Sequence, residues 1–293
     1  SLGLVGSEMC IRDSSKSAES LAKILSEALP YIQKFSGKIV VIKYGGSAMK
    51  ENKLRQNFAR DIALMRQIGI FPVLVHGGGP QIEENLKKSS IKSVFIDGLR
   101  KTDENSIKII VKTLREVNGD IAELIKTWGA RTKTFNDIRE SILICKKIKT
   151  KIDLGFVGDI TKVDGSLIKK NIFSGKIPVI APIGRDRFGM HYNINADHVA
   201  CKVAEKLKAE KIIMMTDVKG VLTNTGKKIS EMDIKKAKKI AKTMKGGMLP
   251  KLSSVIKSLE SGVKSAHIVD GRVPHAVLVE ILTDKGVGTW ITK

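Results

Sequence analysis

The chain has 293 residues, 42% of them hydrophobic, and its 52 Lys and Arg against 30 Asp and Glu give a formal net charge of +22. This length fits one large or two moderate domains, and the mixed composition excludes a fibrous or wholly disordered chain. No apolar run approaches the roughly 18 residues that cross a bilayer, so we expect no membrane-spanning segment. The positive charge attracts anions of any kind, but aromatic residues make up only 4%, which does not favour a nucleic-acid-binding surface.

The cysteines and the amino terminus bear on the compartment. Cys10, Cys145 and Cys201 are widely spaced, a pattern typical neither of a disulfide framework nor of a cysteine-based zinc site. Free thiols fit a reducing compartment, and we expect a cytoplasmic location.

Residues 1–14 have no initiating Met and no basic start followed by an apolar stretch. We interpret them as a non-native leader rather than a secretory signal.

The first predicted elements form a helix followed by a βαβ unit. Apolar residues repeat with helical period over residues 17–35, where Pro30 should kink the helix. Residues 38–44 and 71–75 are rich in β-branched residues, and a helical pattern over 54–68 separates them. Two strands joined through a helix are expected to be parallel, with a right-handed crossover.

The alternation of strands and helices continues to the carboxyl terminus. Strands are predicted at 141–146, 177–183, 211–216 and 266–269, and helices at 104–117, 196–207, 250–259 and 274–282. A Gly- and Asp-rich stretch over 153–165 suggests hairpins, and the lysine-rich run 227–245 is typical of an amphipathic surface helix. The predicted fold is an α/β three-layer αβα sandwich around a mainly parallel central sheet, with an extra N-terminal helix.

Two glycine clusters follow predicted strands directly. Gly45-Gly46 ends the first strand, and Gly77-Gly78-Gly79 ends the second. Glycines there let backbone N–H groups approach phosphate oxygens, and the start of a following helix adds positive potential. Either cluster alone could equally serve a tight turn. Two clusters on neighbouring strands favour a phosphate-binding site.

The common nucleotide-binding and hydrolase motifs do not account for these glycines. The string Gly-x-x-x-x-Gly-Lys-Ser/Thr does not occur, and Ile82 stands where the dinucleotide fingerprint needs its last glycine. Gly-x-Ser-x-Gly and His-Glu-x-x-His are also absent from the sequence. A different phosphate-binding fold is therefore expected.

Seven segments, taken in order, resemble the amino acid kinase family over residues 21–293. They are KYGGSAM (43–49), VHGGGPQ (75–81), GLRKTD (98–103), NINAD (193–197), TDVKGVL (216–222), GGMLPK (246–251) and GVGT (286–289). The third and fourth segments point to the branch whose substrate is N-acetyl-L-glutamate. Lys101 and His198 depart from residues common in that branch.

The resemblance implies transfer of the ATP γ-phosphoryl group to the side-chain carboxylate of N-acetyl-L-glutamate, on the route to arginine. A carboxylate is already ionised at neutral pH, so the reaction needs positioning and positive charge rather than a general base. Another kinase of the family, acting on aminoadipate, glutamate, aspartate or uridylate, is the nearest alternative. A basic nucleic-acid-binding protein is an alternative from another class.

The resemblance also implies roles for individual residues. Lys43 and Lys251 would stabilise the transferring phosphoryl group, with Asp197 orienting both lysines. The substrate would be bound by Gly78, Gly79, Arg100 and Asn193, and the nucleotide by Gly45, Gly46, Asp217, Lys219 and Gly220. Arg100 can grip a carboxylate through two parallel hydrogen bonds. Mg²⁺ would accompany the ATP phosphates, and no protein ligand to the metal is predicted.

Domain organisation and regulation follow from the same resemblance. Residues 37–208 would form the lobe that binds the amino acid substrate, and residues 209–293 the lobe that binds ATP. The helix over 15–36 would join dimers into a hexamer, a trimer of dimers, although such a helix can also simply cover its own subunit. L-arginine would be a feedback inhibitor that contacts Tyr31, His267 and Glu280. A PII-type regulator is a candidate partner, and no nucleic-acid or membrane partner is expected.

Overall fold

The computed structural model describes residues 15–138, 140–223, 225–244, 246–284 and 286–293; the leader predicted over 1–14 lies outside them. The helices are α1 (Ser15–Phe35), α2 (Asn52–Gln67), α3 (Gly79–Lys88), α4 (Glu104–Lys126), α5 (Gly165–Phe173), α6 (Ala196–Leu207), α7 (Ile234–Thr243), α8 (Met248–Glu260) and α9 (Ala276–Leu282). No helix in this described part of the chain has the length and apolar character needed to cross a membrane.

The strands form one large and two small sheets. They are β1 (Ile39–Tyr44), β2 (Phe71–His76), β3 (Phe95–Ile96), β4 (Leu99–Arg100), β5 (Arg131–Phe135), β6 (Leu143–Lys147), β7 (Gly158–Val163), β8 (Lys176–Ile180), β9 (Ile183–Arg185), β10 (His191–Asn193), β11 (Lys211–Thr216), β12 (Glu231–Asp233), β13 (Ser265–Asp270) and β14 (Thr289–Thr292). The large sheet has the order β12-β14-β13-β11-β1-β2-β8-β5. Its neighbouring strands are parallel except for β13 and β14, which confirms the predicted mainly parallel sheet.

Helices cover both faces of the large sheet because its strands are apolar on both sides. Val41 packs with residues of α5, α6 and α8 on one face, whereas its neighbours Val40 and Ile42 pack with residues of α2, α4 and α9 on the other. Successive strand residues point to opposite faces, so one uninterrupted apolar run supplies both cores. Burying one such side chain contributes about 1.5–3 kcal/mol. The three-layer αβα sandwich is thus confirmed.

The short strands differ from the prediction. The strand predicted over 177–183 is two strands, β8 and β9, which belong to different sheets with Pro182 between them. Strand β6 lies in the four-stranded sheet β10-β9-β6-β7, where it pairs antiparallel with β7. Strand β5 was not predicted, because its sequence Arg-Thr-Lys-Thr-Phe has no apolar run. Helix α4 continues to Lys126, well past the predicted end at residue 117.

Candidate active site

Lys43 lies at the carboxyl end of the central strand β1, where its side chain is almost completely buried. It is paired in register with Val75 of β2 on one side and Met214 of β11 on the other. Its Nζ atom lies 3.2 Å from Oδ1 of Asp197 and 3.5 Å from the Met215 carbonyl oxygen. A buried ammonium requires such partners, because an unpaired charge in a low-dielectric interior is costly.

Asp197 stands in the first turn of α6, which the Asn195 side chain caps. The Asn195 Oδ1 atom accepts hydrogen bonds from the backbone N–H groups of Asp197 and His198, at 2.8 and 3.2 Å. The second carboxylate oxygen of Asp197 accepts a hydrogen bond of 2.5 Å from Lys251 Nζ, in the first turns of α8. One carboxylate therefore bridges two ammonium groups that reach it from β1 and from α8.

The two lysines keep Asp197 ionised. Burial by itself raises the pKa of this carboxyl, but the charges of Lys43 and Lys251 and their hydrogen bonds outweigh burial and hold the pKa below its usual range. Two cations facing one anion leave an excess of positive charge at the end of β1. Such a group favours an anion bound beside it.

The first glycine turn, Gly45-Gly46, connects the group formed by Lys43, Asp197 and Lys251 to the segment that follows β11. Gly46 has a φ of +70°, and a Cβ atom there would collide with the Asp217 carboxylate. The N–H of Ser47 donates a hydrogen bond of 2.6 Å to Asp217 Oδ1. At Gly45, a Cβ atom would lie 2.7 Å from Lys43 Nζ. The left-handed φ at Gly46 thus favours glycine there, an added Cβ at Gly45 would displace the Lys43 ammonium, and the turn brings three predicted nucleotide-binding residues together.

The second glycine turn lies directly beside the first. The N–H of Gly77 donates a hydrogen bond of 2.7 Å to the Tyr44 carbonyl oxygen at the end of β1. His76 is fully buried; its Nδ1 donates to the Gly77 carbonyl oxygen at 2.6 Å, and burial lowers its pKa to about 4. His76 is therefore a neutral, enclosed residue at the end of β2.

All four predicted substrate-binding residues line one cavity of about 180 Å³. Its walls are the second glycine turn, with Gly78 and Gly79, the Arg100 side chain, and Asn193 at the end of β10. Asn193 Nδ2 donates to Thr102 Oγ1 at 3.3 Å. Sequence reasoning did not find the apolar lining residues Ile82, Phe95, Leu114, Val157 and Pro182, which carry no motif.

Arg100 already has partners in this cavity. Its Nη1 donates to Glu83 Oε2 at 2.9 Å and contacts the Ser93 hydroxyl, while the guanidinium lies 4.5 Å from the centre of the Phe95 ring. The Glu83 side chain is 56% exposed. Arg100 is therefore held in place by groups on the protein, and one of them is a carboxylate close to water.

A second cavity, of about 380 Å³, adjoins the segment that follows β11. Its lining is largely apolar and consists of Val218, Gly220, Leu222, Ile240, Thr243, Met244 and Met248. Gly220 has a φ of +130°, and a Cβ atom there would lie 2.6 Å from Thr289 Oγ1. Lys219, predicted to bind nucleotide, is exposed and does not line this cavity. Ile240 and Met244 were predicted only as the apolar face of a surface helix.

The three predicted effector residues line a third cavity, of about 480 Å³, between α1, α9 and β14. His267 Nδ1 is hydrogen-bonded to Glu280, whose other carboxylate oxygen accepts from the Gly288 N–H at 2.7 Å. Lys211 Nζ donates to the Glu280 carbonyl oxygen at 3.0 Å, and burial lowers the pKa of Lys211 to about 8. Lys211 could not be predicted as part of this cavity, because in the sequence it is only the first residue of a strand.

Within the described residues, no group of three or more His, Cys, Asp or Glu side chains could hold a metal ion. Both aspartates of the site have partners on the protein: Asp197 contacts two lysines, and Oδ1 of Asp217 accepts a hydrogen bond from the Ser47 N–H. Mg²⁺ prefers a set of oxygen ligands, and the carboxylates in the described part of the chain do not form one.

A mainly parallel αβα sandwich has glycine turns at the ends of two neighbouring central strands, and beside them two lysines, from β1 and α8, share one carboxylate. This arrangement is that of a phosphotransferase class of α/β enzyme. Residues 38–270 match the model described as the amino acid kinase family. The chain belongs to the amino acid kinase family.

Relatives and solved structures agree with this assignment. The chain is 48% identical to acetylglutamate kinase of Caldanaerobacter subterraneus subsp. tengcongensis, with 93% of each chain covered. It is 44% identical to acetylglutamate kinase of Neisseria meningitidis serogroup C, covering 94% of this chain and 95% of the relative. The crystal structure of N-acetylglutamate synthase from Neisseria gonorrhoeae, complexed with coenzyme A and N-acetyl-glutamate, superposes with a TM-score of 0.85 at 25% identity. That likeness covers 93% of this chain but only 63% of the synthase, so the chain spans less than two thirds of the synthase's length.

Proposed function

We infer that the chain is a kinase that transfers the γ-phosphoryl group of ATP to the side-chain carboxylate of N-acetyl-L-glutamate, giving N-acetyl-L-glutamyl 5-phosphate for arginine biosynthesis. The observation that carries this function is the pair of lysines on Asp197, between two glycine turns and beside a cavity lined by Arg100 and Asn193. The relatives that share 44–48% identity over nearly the whole chain are acetylglutamate kinases.

The two lysines of the site supply the positive charge that the reaction needs. An ionised carboxylate needs no base to attack phosphorus, but it is repelled by the charged phosphates of ATP. We propose that Lys43 and Lys251 offset this repulsion and stabilise the charge on the transferring phosphoryl oxygens, while Asp197 holds the two ammonium groups in place. Preorganised charges of this kind typically contribute about 10²–10³ in rate.

Substrate binding would use the cavity beside the second glycine turn. We propose that Arg100 exchanges Glu83 for a carboxylate of N-acetyl-L-glutamate, since the half-exposed Glu83 can return to water at little cost. Asn193 offers a donor and an acceptor for the amide of the substrate. Gly78 and Gly79 line the same cavity, and their N–H groups would bind substrate or phosphate oxygens.

For the nucleotide, we propose that the apolar cavity beside Gly220 takes the base, which leaves the phosphates at Gly45, Gly46 and Asp217. Lys219 would then contact the nucleotide from the exposed rim. Mg²⁺ would be carried by the phosphates, where it neutralises their charge. Under this proposal, residues 37–208 bind the amino acid substrate and residues 209–293 bind ATP.

Regulation and assembly are proposed on separate observations. Tyr31, His267 and Glu280 line one cavity whose buried carboxylate suits a cationic effector such as L-arginine. On α1, Ile24, Leu25 and Leu29 are 62%, 64% and 51% exposed, an apolar face that fits contact with another subunit in a hexamer built as a trimer of dimers. Sedimentation of a chain lacking residues 1–36 tests this role, because a truncated hexamer would exclude it. A cytoplasmic location and a PII-type partner remain proposals from the resemblance.

An acceptor panel tests the function. ATP consumption and hydroxylamine trapping of the acyl phosphate would be measured with N-acetyl-L-glutamate, L-glutamate, L-aspartate, L-2-aminoadipate and uridylate. We expect turnover with the acetylated substrate and little with the others, since a site that binds an amide discriminates strongly against a ligand without one. Turnover of unacetylated glutamate in preference to N-acetyl-L-glutamate would contradict the assignment, as would binding to nucleic acid without any ATP turnover.

A further inference from the structure

A buried aspartate lies just beyond the edge strand β5, outside the group of residues assigned to catalysis. Asp137 is 4% exposed and has a φ of +59°, in the left-handed region. Its Oδ1 atom has no hydrogen-bond partner within the described part of the chain. A buried, half-satisfied carboxylate in a strained backbone conformation requires an explanation.

Three basic side chains, each from a different element, converge on Asp137. From β9, Arg185 donates Nε to Asp137 Oδ2 and Nη2 to the Asp137 carbonyl oxygen, both at 3.0 Å. From β10, His191 Nε2 lies 2.8 Å from the same Oδ2. From α4, Arg115 donates Nη2 to the Asp137 carbonyl oxygen at 2.9 Å and Nε to the Asn136 carbonyl oxygen at 3.1 Å. Through these contacts, Asp137 links strands β9 and β10 and helix α4.

The two anchored strands form the hairpin that carries Asn193. In this hairpin His191 pairs with Arg185, and Asn193 pairs with Ile183. His191 and Asn193 are two residues apart on one strand, so their side chains share a face and lie about 6.6 Å apart along it. The residues that enter and leave the hairpin, Pro182 and Ile194, line the substrate cavity together with Asn193. The position of one wall of that cavity thus depends on where the hairpin is held.

We propose that Asp137 is a positioning residue for the phosphoryl acceptor: its carboxylate anchors the β9–β10 hairpin and so fixes Asn193 at the substrate cavity. This inference rests on the proposed function, because the cavity is taken as the binding site of N-acetyl-L-glutamate. Asp137 contacts neither the lysines nor the nucleotide cavity in the contacts described above. Its loss should therefore weaken binding of one substrate and not of the other.

The charge on the carboxylate is what holds the anchor together. Arg185 Nε and His191 Nε2 share the carboxylate oxygen Oδ2, and hydrogen bonds to charged groups are about twice as strong as neutral ones. Asparagine tolerates the left-handed conformation as well as aspartate does. The Asp137→Asn variant consequently removes the charge and adds no strain to the backbone of the turn.

The test compares Asp137→Asn with Asp164→Asn, which alters a carboxylate that caps α5 through the Leu167 N–H and lies on neither strand of the hairpin. We expect the KM for N-acetyl-L-glutamate to rise about tenfold in Asp137→Asn, with the KM for ATP within about twofold of the wild type. Amide hydrogen exchange should accelerate in residues 183–193 and stay unchanged in α6. Asp164→Asn should change neither KM nor the exchange of the hairpin.

A second variant covers the case in which Asp137→Asn does not fold. Arg185→Gln removes a partner whose side chain is 36% exposed, and it should show the same selective rise in the KM for the acceptor. An unchanged KM for N-acetyl-L-glutamate in a folded variant overturns the inference. Equal effects on both substrates, together with a lower melting temperature, also overturn it, because they indicate a purely structural role. A wild type that does not turn over N-acetyl-L-glutamate refutes the proposed function instead.

Discussion

At the residue scale, a charged residue of the site could be predicted from the sequence where it directly ends an apolar strand. The resemblance implies a role for Lys43, which ends a buried strand beside two glycines, and the structure gives it an aspartate partner. The pairing of Arg100 with Glu83 was not predicted, because the two residues come from different elements and only the fold brings them together. The Asp137 cluster was missed for the same reason.

Asp61 provides a prediction about pH. It is buried on α2, where His275 Nδ1 lies 2.7 Å from its Oδ1 and Arg60 lies 3.3 Å from the other ring nitrogen of His275. Burial raises the pKa of the Asp61 carboxyl to about 6, against 3.8 ordinarily. A carboxyl that binds its proton more tightly in the folded state favours folding at low pH and disfavours it above its folded pKa.

The Asp61→Asn variant should therefore gain stability relative to the wild type as the pH rises from 4 to above 6. The gain is on the order of 2 kcal/mol by linkage. Melting temperatures of both proteins between pH 4 and 8 would measure it, with the exposed Asp120→Asn as the control. If the difference in melting temperature between variant and wild type stays constant from pH 4 to 8, the assigned environment of Asp61 is contradicted.

At the element scale, long apolar segments were predicted well and short polar ones were not. Helix α6 and strand β11 have the predicted bounds, because each has a clear apolar pattern and a defined start. Strands β5, β9 and β10 are short, and their polar residues, which are exposed or half-buried, interrupt the apolar pattern from which a strand is predicted. The sequence accordingly predicts the motif that contains Asn193 but not the β9–β10 hairpin that carries it.

The turn between β1 and α2 gives a prediction at this scale. Gly46→Ala places a methyl group against Asp217 in a left-handed conformation, which costs about 1–2 kcal/mol before any collision is relieved. We expect the KM for ATP to rise about tenfold or more, since the phosphates are assigned to this turn. Gly119→Ala is the matched control, because it adds the same methyl group inside α4 with nothing within 4 Å. Equal KM values for ATP in both variants would argue against a phosphate role for the turn.

At the scale of the whole molecule, the sheet order assembles the site. Strand β1 lies between β11 and β2, so the turn after β1 meets the segment after β11 on one side and the second glycine turn on the other. Helices α6 and α8 pack together and bring Asp197 to Lys251. The βαβ unit was predictable from local pattern, but the neighbours of each strand were not, since several orders satisfy the same alternation. The sequence motifs, and not the hydrophobic periodicity, indicated that these residues, distant from one another in the chain, act together.

The turnover number of Lys43→Ala tests the central claim most directly, because this lysine reaches the shared carboxylate from one half of the site and Lys251 reaches it from the other. With saturating ATP and N-acetyl-L-glutamate, we predict that kcat falls by about 10²–10³ while the circular dichroism spectrum is retained. Lys38→Ala, an exposed lysine just before the same strand, should keep a normal kcat. A folded Lys43→Ala enzyme with near-normal turnover would contradict the account.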